Sequence, residues 1–151
     1  MLLSDIDSWN VGALQSIATE LGGELTTIEG VASDLELISR LPGWESPAAD
    51  AARGKIRSTA NRVLDDAAVI GAVRQLAEET AAAVATLQTE LEGVRADIAA
   101  QGGLLRLSDN GDVFIDAPAD LHDELQPIAD NIESRAKALI HQAKDIDADC
   151  A

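Results

Sequence analysis

The sequence predicts an all-α protein, an elongated antiparallel helical hairpin or bundle of three long helices with a small β-hairpin at one end. Two observations support this class. Apolar residues recur at alternating spacings of three and four over three long segments, which is the period of helices with one buried face. Between the second and third of these segments, an Asn-Gly pair separates two short stretches in which apolar and polar residues alternate, as in a β-hairpin.

The stretch from Leu41 to Pro47 separates the first two helical segments. Pro42 and Gly43 end the first segment, because proline moves the preceding residue out of the α region and glycine accepts the left-handed conformation that often closes a helix. Ser46 can cap the next helix by accepting an amide hydrogen bond, and proline suits the first helical position because it has no N–H. We therefore predict the tight corner of a helix-turn-helix hairpin.

The first long helix is predicted from Val11, with Asn10 as its cap, to Arg40. Its apolar stripe is wide, so we expect one face to be continuously buried. The stripe contains Leu14, Ala18, Leu21, Leu25, Ile28, Ala32 and Leu35, and is widened by Ile17, Val31 and Ile38. The pair Gly22-Gly23 predicts a bend or room for a close neighbour.

The second long helix is predicted from Pro47 to about Gln101, with an apolar stripe along its length. A basic cluster near its start is flanked by aspartates at helical spacing, which is typical of a solvated face with ion pairs. The basic residues are Arg53, Lys55, Arg57 and Arg62. Arg74, close to the apolar stripe, is expected either to extend to water or to meet a carboxylate of a partner.

A two-residue β-hairpin is predicted over 104–116, with Asn110 and Gly111 both at positive φ. Its apolar face must lie on the helices, because an isolated hairpin is marginally stable. The third helix is predicted over 118–147, where Pro127 should kink it or mark a short first segment that ends near Gln126.

These elements predict one helical domain over 1–151, made of a helical hairpin (10–101), the β-hairpin (104–116) and the third helix (118–147). Short connections make neighbouring helices antiparallel, so the first helix should cover the first half of the second helix and the third helix its other half, meeting near Gly71. A cross-section of two helices cannot bury stripes this wide. We therefore expect a helical partner, either a second copy or a separate small hairpin.

Composition excludes several classes of function. The chain has 11 basic and 27 acidic residues, a net charge of −16, which disfavours nucleic acids and anionic membranes as partners. The longest uncharged run, Ser8 to Thr19, has twelve residues and is too short to span a bilayer. No catalytic motif occurs, His122 and His141 lack metal-binding or catalytic partners, and Cys150 has no second cysteine for an internal disulfide. We expect no enzymatic activity, no metal and no cofactor.

The corner also carries a family resemblance. The motif Trp44-x-Ser46, set between two long amphipathic helices and followed by an alanine-rich run, resembles the Trp-x-Gly turn of the helical-hairpin substrates of type VII (ESX) secretion. Ser46 stands where the family has glycine. The resemblance covers residues 10 to about 101, and the remaining elements resemble the amino-terminal region of longer actinobacterial members.

This resemblance implies a noncatalytic secretion-targeting and interaction domain. It implies a helical-hairpin partner, as a homodimer or heterodimer, and contact of Trp44, Glu45 and Ser46 with the partner or the secretion machinery. It also implies a cytoplasmic protein that is then secreted or placed at the cell envelope by a route independent of a signal peptide, in keeping with the absence of a classical leader at Met1–Trp9. The family's tyrosine-based export signal is absent, because the chain has no tyrosine.

Two other interpretations remain open at the level of sequence. In the first, the chain is a self-associating structural coiled coil. In the second, it is the head region of a larger secreted hydrolase or toxin whose active domain is absent here. Trp44 also has a purely structural interpretation, as a hydrophobic plug between helix ends.

Overall fold

The computed structural model describes residues 1–149, which form four α-helices, three of them long, and a two-stranded antiparallel sheet. The elements in chain order are α1 (Leu3–Ser8), α2 (Val11–Ser39), α3 (Pro47–Ala100), β1 (Leu105–Leu107), β2 (Val113–Ile115), a 3-10 turn (Ala119–Leu121) and α4 (His122–Asp149). The predicted all-α class with a small β-hairpin is confirmed at this level. Cys150 lies outside the described residues.

The chain divides into two compact units. One joins residues 1–11 to the chain from Thr80 onward, and the other is Gly12–Glu79, so that α3 contributes to both. The sequence predicts that the first and third long helices cover the two halves of α3 and meet near Gly71, but the division between the units lies between Glu79 and Thr80. Leu25, the central residue of α2, lies beside Gly71, where an added Cβ would be 3.8 Å from Leu25 Cδ2. The amino-terminal half of α2 therefore continues along α3 beyond Gly71.

The unit that contains the termini has a closed aliphatic core. Leu91 and Ile6 are 0% exposed, and α1, α3, β1 and α4 all contribute to the same cluster. Its buried members are Leu3, Ile6, Leu87, Leu91, Val94, Leu105, Leu125, Ala129, Ile132, Ala136, Leu139, Ile140 and Ala143. The inner faces of the β-hairpin pack on this cluster, as predicted.

Helix α1 was not predicted, although it supplies two core side chains. Its amino end is held by the hairpin loop, where the backbone N–H of Leu3 donates to Asp109 O and that of Ser4 to Asp109 Oδ1, both at 2.8 Å. Its carboxyl end is held by the amide of Gln88, which donates to the carbonyl of Trp9 at 2.9 Å. These long-range contacts stabilise a six-residue helix that is too short to form alone.

The β-hairpin differs from its prediction in the turn. Leu105 pairs with Ile115, but Asn110 does not have positive φ; Gly111 alone among the loop residues does, at +87°. Gly111 N donates to Ser108 O at 3.0 Å, which is the pattern of a four-residue turn followed by a left-handed glycine. The two-residue turn is therefore wrong, and a three-residue loop takes its place, because one left-handed glycine suffices to reverse the chain.

Gly111→Ala is expected to destabilise the unit more than Gly103→Ala. Both glycines have φ near +88°, at +87° and +88°, so an added Cβ strains both backbones by about 1–2 kcal/mol. At Gly111 the added atom would also meet Ile140 Cδ1 and Lys137 Cγ at 3.3 Å, whereas Gly103 has open space. Thermal melts of the two variants check the difference, and equal losses of stability would show that the contact with α4 contributes nothing.

Helix α4 is continuous through Pro127, so the interpretation of a separate first segment ending near Gln126 is wrong. The helix begins at His122 after the 3-10 turn and ends at Asp149, two residues beyond the predicted end. Proline lacks one backbone donor, but the strongly amphipathic sequence after it is buried against the core, and this burial maintains the helix.

A group of ion pairs, which we call the ionic clasp, links Asp112 of the hairpin to Glu133 and Lys137 of α4. Lys137 Nζ lies 2.5 Å from Glu133 Oε1 and 2.9 Å from Asp112 Oδ1, and Glu133 Oε2 accepts the backbone N–H of Val113 at 3.0 Å. The hydrogen bonds from Lys137 hold the pKa values of Asp112 and Glu133 below their ordinary values, and the two carboxylates raise the pKa of Lys137.

We expect the clasp to weaken in acid. Because the pKa values of Asp112 and Glu133 are lower in the folded state than in the unfolded state, their contribution is complete above their ordinary values of 3.8 and 4.5. It is lost as the pH falls through the lowered values. Lys137→Met should therefore reduce the difference between the melting temperatures at pH 7 and pH 3. Lys144→Met, the same change at an exposed position of α4, should leave that difference unchanged.

The 12–79 unit is a helical hairpin in which α2 and the first part of α3 run antiparallel. Successive residues of α2 contact progressively earlier residues of α3. Gly22 lies against Arg74, Leu25 lies against Gly71, and Ala32 and Ala60 line the same groove. The buried side chains of this unit are small, which lets the two helices approach closely. They are Ala18, Ala32, Ser39, Ala49, Ala60 and Ala67.

Candidate partner-binding surface

The corner of the hairpin is built as its sequence predicts. Gly43 is left-handed, with φ of +79°, and Ser46 caps α3 by accepting the backbone N–H of Ala49 on its Oγ at 3.1 Å. Pro47 is the first residue of α3. The Ser46 side chain is thus occupied in capping, which satisfies one of the amide groups that a helix start leaves without a partner.

Trp44 is 38% exposed at this corner and is not a buried plug between the helix ends. The guanidinium of Arg53 lies 5.7 Å from the centre of the indole ring and also donates to the carbonyl oxygen of Trp44. Arg53 is itself held by Asp50 at 3.1 Å. One turn of α3 therefore fixes the orientation of the tryptophan while leaving its ring accessible, and Glu45 beside it is exposed.

An open apolar face runs along α2. The large residues expected in a continuously buried stripe are half-buried or exposed, so that expectation is wrong. The row of Leu14, Leu21, Ile28 and Leu35 is half-buried, and the neighbouring row of Ile17, Val31 and Ile38 is exposed at 43–48%. The physical reason is that α2 and α3 contact each other along their buried alanines, a line that we call the seam. Close approach of two helices covers the seam itself but not the larger apolar side chains on either side of it.

The first part of α3 continues this face. Ile56 and Val63 flank the buried Ala60 on one side of the helix, whereas Arg57 and Leu64 flank it on the other. Both Ile56 and Val63 are half-buried. Ile70 repeats the row one heptad later, and Val73 beside it is 49% exposed. We define the open face as the half-buried and exposed rows of α2 given above, together with Ile56, Val63, Ile70 and Val73 of α3.

The opposite side of the seam is polar. A groove of about 320 Å³ lies there, with the alanines of the seam at its base and Glu29, Glu36 and Arg57 among its lining residues. Glu29 and Glu36 flank Ala32 on the side away from Ile28. The hairpin is thus two-sided, with apolar residues concentrated on one side.

No protein-family model, curated protein or solved structure matches the chain. The chemistry of the open face is therefore the basis for a functional conclusion. Among the described residues, no helix combines the length and apolar character needed to cross a bilayer, and no three His, Cys, Asp or Glu side chains are placed to hold a metal ion.

Charge is unevenly distributed on the hairpin. Helix α2 contains five carboxylates and no lysine or arginine, whereas residues 47–79 contain five acidic and five basic residues. All five carboxylates of α2 are exposed: Glu20, Glu24, Glu29, Asp34 and Glu36. Within the described chain, one of them forms an ion pair, Glu36 with Arg40. The α2 edge of the surface is therefore negative.

Arg74 shows how the hairpin satisfies its own charges. Its guanidinium packs over Gly22, where an added Cβ would lie 3.4 Å from Arg74 Nε, and pairs with Glu78 at 2.9 Å. The carboxylate that it meets is therefore on its own helix. The glycine at position 22 provides room for the arginine, which is one of the two roles that the sequence suggested for the glycine pair.

Three residues were singled out from the sequence as contacts for a partner or the secretion machinery. Trp44, Glu45 and Ser46 all lie at the corner, and the first two are available to a partner. The open face on α2 was missed as a site, because helical periodicity marks the apolar residues of a stripe without showing which of them a single neighbouring helix can cover.

Proposed function

We propose that this chain is a noncatalytic interaction domain that pairs with a second helical hairpin through the open face of the 12–79 unit. The observation that carries the proposal is the row of Ile17, Val31 and Ile38, whose side chains are 43–48% exposed beside a half-buried leucine and isoleucine row. The exposed row is interrupted at Glu24, but the half-buried row beside it is apolar throughout, and open apolar surface of this kind usually marks an interface. Two further helices laid on it would complete a four-helix cross-section.

The proposal extends to secretion targeting of the type VII kind, which the resemblance at the corner implies. It is supported by an exposed Trp44 held in place by Arg53, because an oriented and accessible indole is suited to recognition. The machinery would contact Trp44 and Glu45, while Ser46 maintains the turn. The protein would reside in the cytoplasm before export and then be secreted or associated with the cell envelope without a signal peptide.

Co-expression tests the pairing. The chain is produced alone and together with each protein encoded by the genes on either side of its own, and the products are analysed by sedimentation equilibrium. We expect a 1:1 complex, and a dimer of the chain alone would place a second copy on the same face. If the chain remains a monomer in all of these preparations at high micromolar concentration, the pairing proposal is wrong.

Trp44→Ala is expected to abolish export while changing the melting temperature little, because the ring is exposed and lies over the guanidinium of Arg53 at the corner, outside the buried contacts of the hairpin. Trp9→Ala is the matched control. Trp9 packs partly buried against the core of the other unit, so its loss should cost about 1–3 kcal/mol, less than a fully buried tryptophan. Thermal melts and a secretion assay on both variants are compared. Normal export of the Trp44 variant would remove the corner from the proposed targeting role.

A further inference from the structure

The charge pattern beside the open face specifies the kind of partner. Glu20 and Asp34 each follow an exposed apolar residue of the face by three positions, and Glu24 lies one heptad after Ile17. Residues three apart are neighbours on a helix, so Glu20 and Asp34 border the face, whereas Glu24, seven residues from both Ile17 and Val31, lies within their exposed row. The three carboxylates thus place negative charge along the middle of α2. Among the described contacts, none of the three forms an ion pair.

From this border we infer that the partner is a different chain, a helical hairpin whose contacting helix carries lysine or arginine along its edge, and not a second copy. The inference rests on the proposed pairing and adds the chemistry of the partner. Opposite charges at the edge of an apolar interface select the partner and its register, while like charges disfavour the wrong one.

A second copy cannot supply the missing positive charge. If two copies pair with α2 beside α2, ten carboxylates and no basic residue line the contact between these helices. If α2 lies beside α3 of the other copy, the facing segment 47–79 brings five basic residues already balanced by five acidic ones. Arg53 in that segment is engaged with Asp50 and Trp44, and Arg57 lines the groove on the opposite side. Either arrangement doubles a net charge of −16.

The test uses a copy of the same chain as a basic partner. The triple variant Glu20→Lys, Glu24→Lys and Asp34→Lys keeps every apolar residue of the open face but reverses the charge within and beside it. The three positions are exposed, so we expect the variant to fold with an unchanged helical circular dichroism spectrum. Labelled wild-type chain is mixed with unlabelled wild type or with the variant, and association is measured by sedimentation velocity at 50 mM and 500 mM NaCl.

We expect the mixed pair to form at least about ten-fold more tightly than the wild-type pair at 50 mM NaCl, with the advantage falling to about two-fold at 500 mM because salt screens exposed charges. A wild-type pair as tight as the mixed pair at 50 mM would overturn the inference and place a second copy on the face, leaving the proposed pairing intact. An absence of association in both mixtures at both salt concentrations would overturn the inference that charge beside the face governs pairing, while the co-expression experiment decides the pairing itself.

Discussion

Leu91→Ala is expected to destabilise the unit that contains the termini by about 2–5 kcal/mol, because the side chain is 0% exposed and its removal leaves a cavity among rigid neighbours. Leu91 lies on α3 and belongs to the same core cluster as Leu3 of α1, Leu105 of β1 and Ile132 of α4. Amide exchange should show faster opening of these elements, and a thermal melt should show the loss of stability.

Leu76→Ala is the matched control, since it makes the same change on the same helix at a side chain that is 48% exposed. It should cost well under 1 kcal/mol, because little apolar area leaves water when the helix folds there. Equal effects of the two substitutions would contradict the division of α3 between a closed core and an open hairpin.

The double substitution Val31→Lys and Ile38→Lys is expected to weaken association with a helical partner by more than about 100-fold while leaving the isolated chain folded. Both side chains are exposed in the chain itself, so charging them costs little folding stability. In a complex, two lysines would be buried against apolar side chains without partners, at a cost of several kcal/mol. Titration of the partner, followed by sedimentation or calorimetry, measures the loss.

Leu37→Lys and Leu64→Lys provide the control for this prediction. These residues are also exposed and apolar, but Leu64 lines the groove on the opposite side of the seam and Leu37 lies four residues after Ser33 of that groove, so partner affinity should be nearly unchanged. If the control pair weakens association as strongly as the Val31 and Ile38 pair, the partner does not dock on the open face defined above.

The sequence predicted the features that depend on local chemistry. Gly43 and Ser46 perform the roles expected from glycine's left-handed conformation and the hydrogen-bonding hydroxyl of serine, and the ends of α2 and α3 lie within one residue of prediction. The strand pairing also follows from local alternation, with Leu105 and Leu107 facing the core. Such features need no information from distant parts of the chain.

The missed features depend on contacts between distant residues. Helix α1 exists because Asp109 and Gln88, about 80 to 105 residues away, hold its ends. The turn at Gly111 is shaped against α4, and the open face on α2 depends on how closely Ala32 approaches α3. Periodicity in one segment reports neither the distance to its neighbour nor the number of helices that cover it, so the partner-binding surface required the assembled structure.

Methyl NMR of the chain with the co-expressed helical protein tests the central claim most directly, since it reports on the side chains of the open face one by one. We predict that binding shifts the methyl resonances of Ile17, Val31, Ile38 and Val73, while those of Leu64 in the groove on the opposite side and of Leu91 in the closed core stay unchanged. Unchanged resonances along α2, or shifts centred on Leu64 instead, would contradict the assignment of the open face as the docking surface.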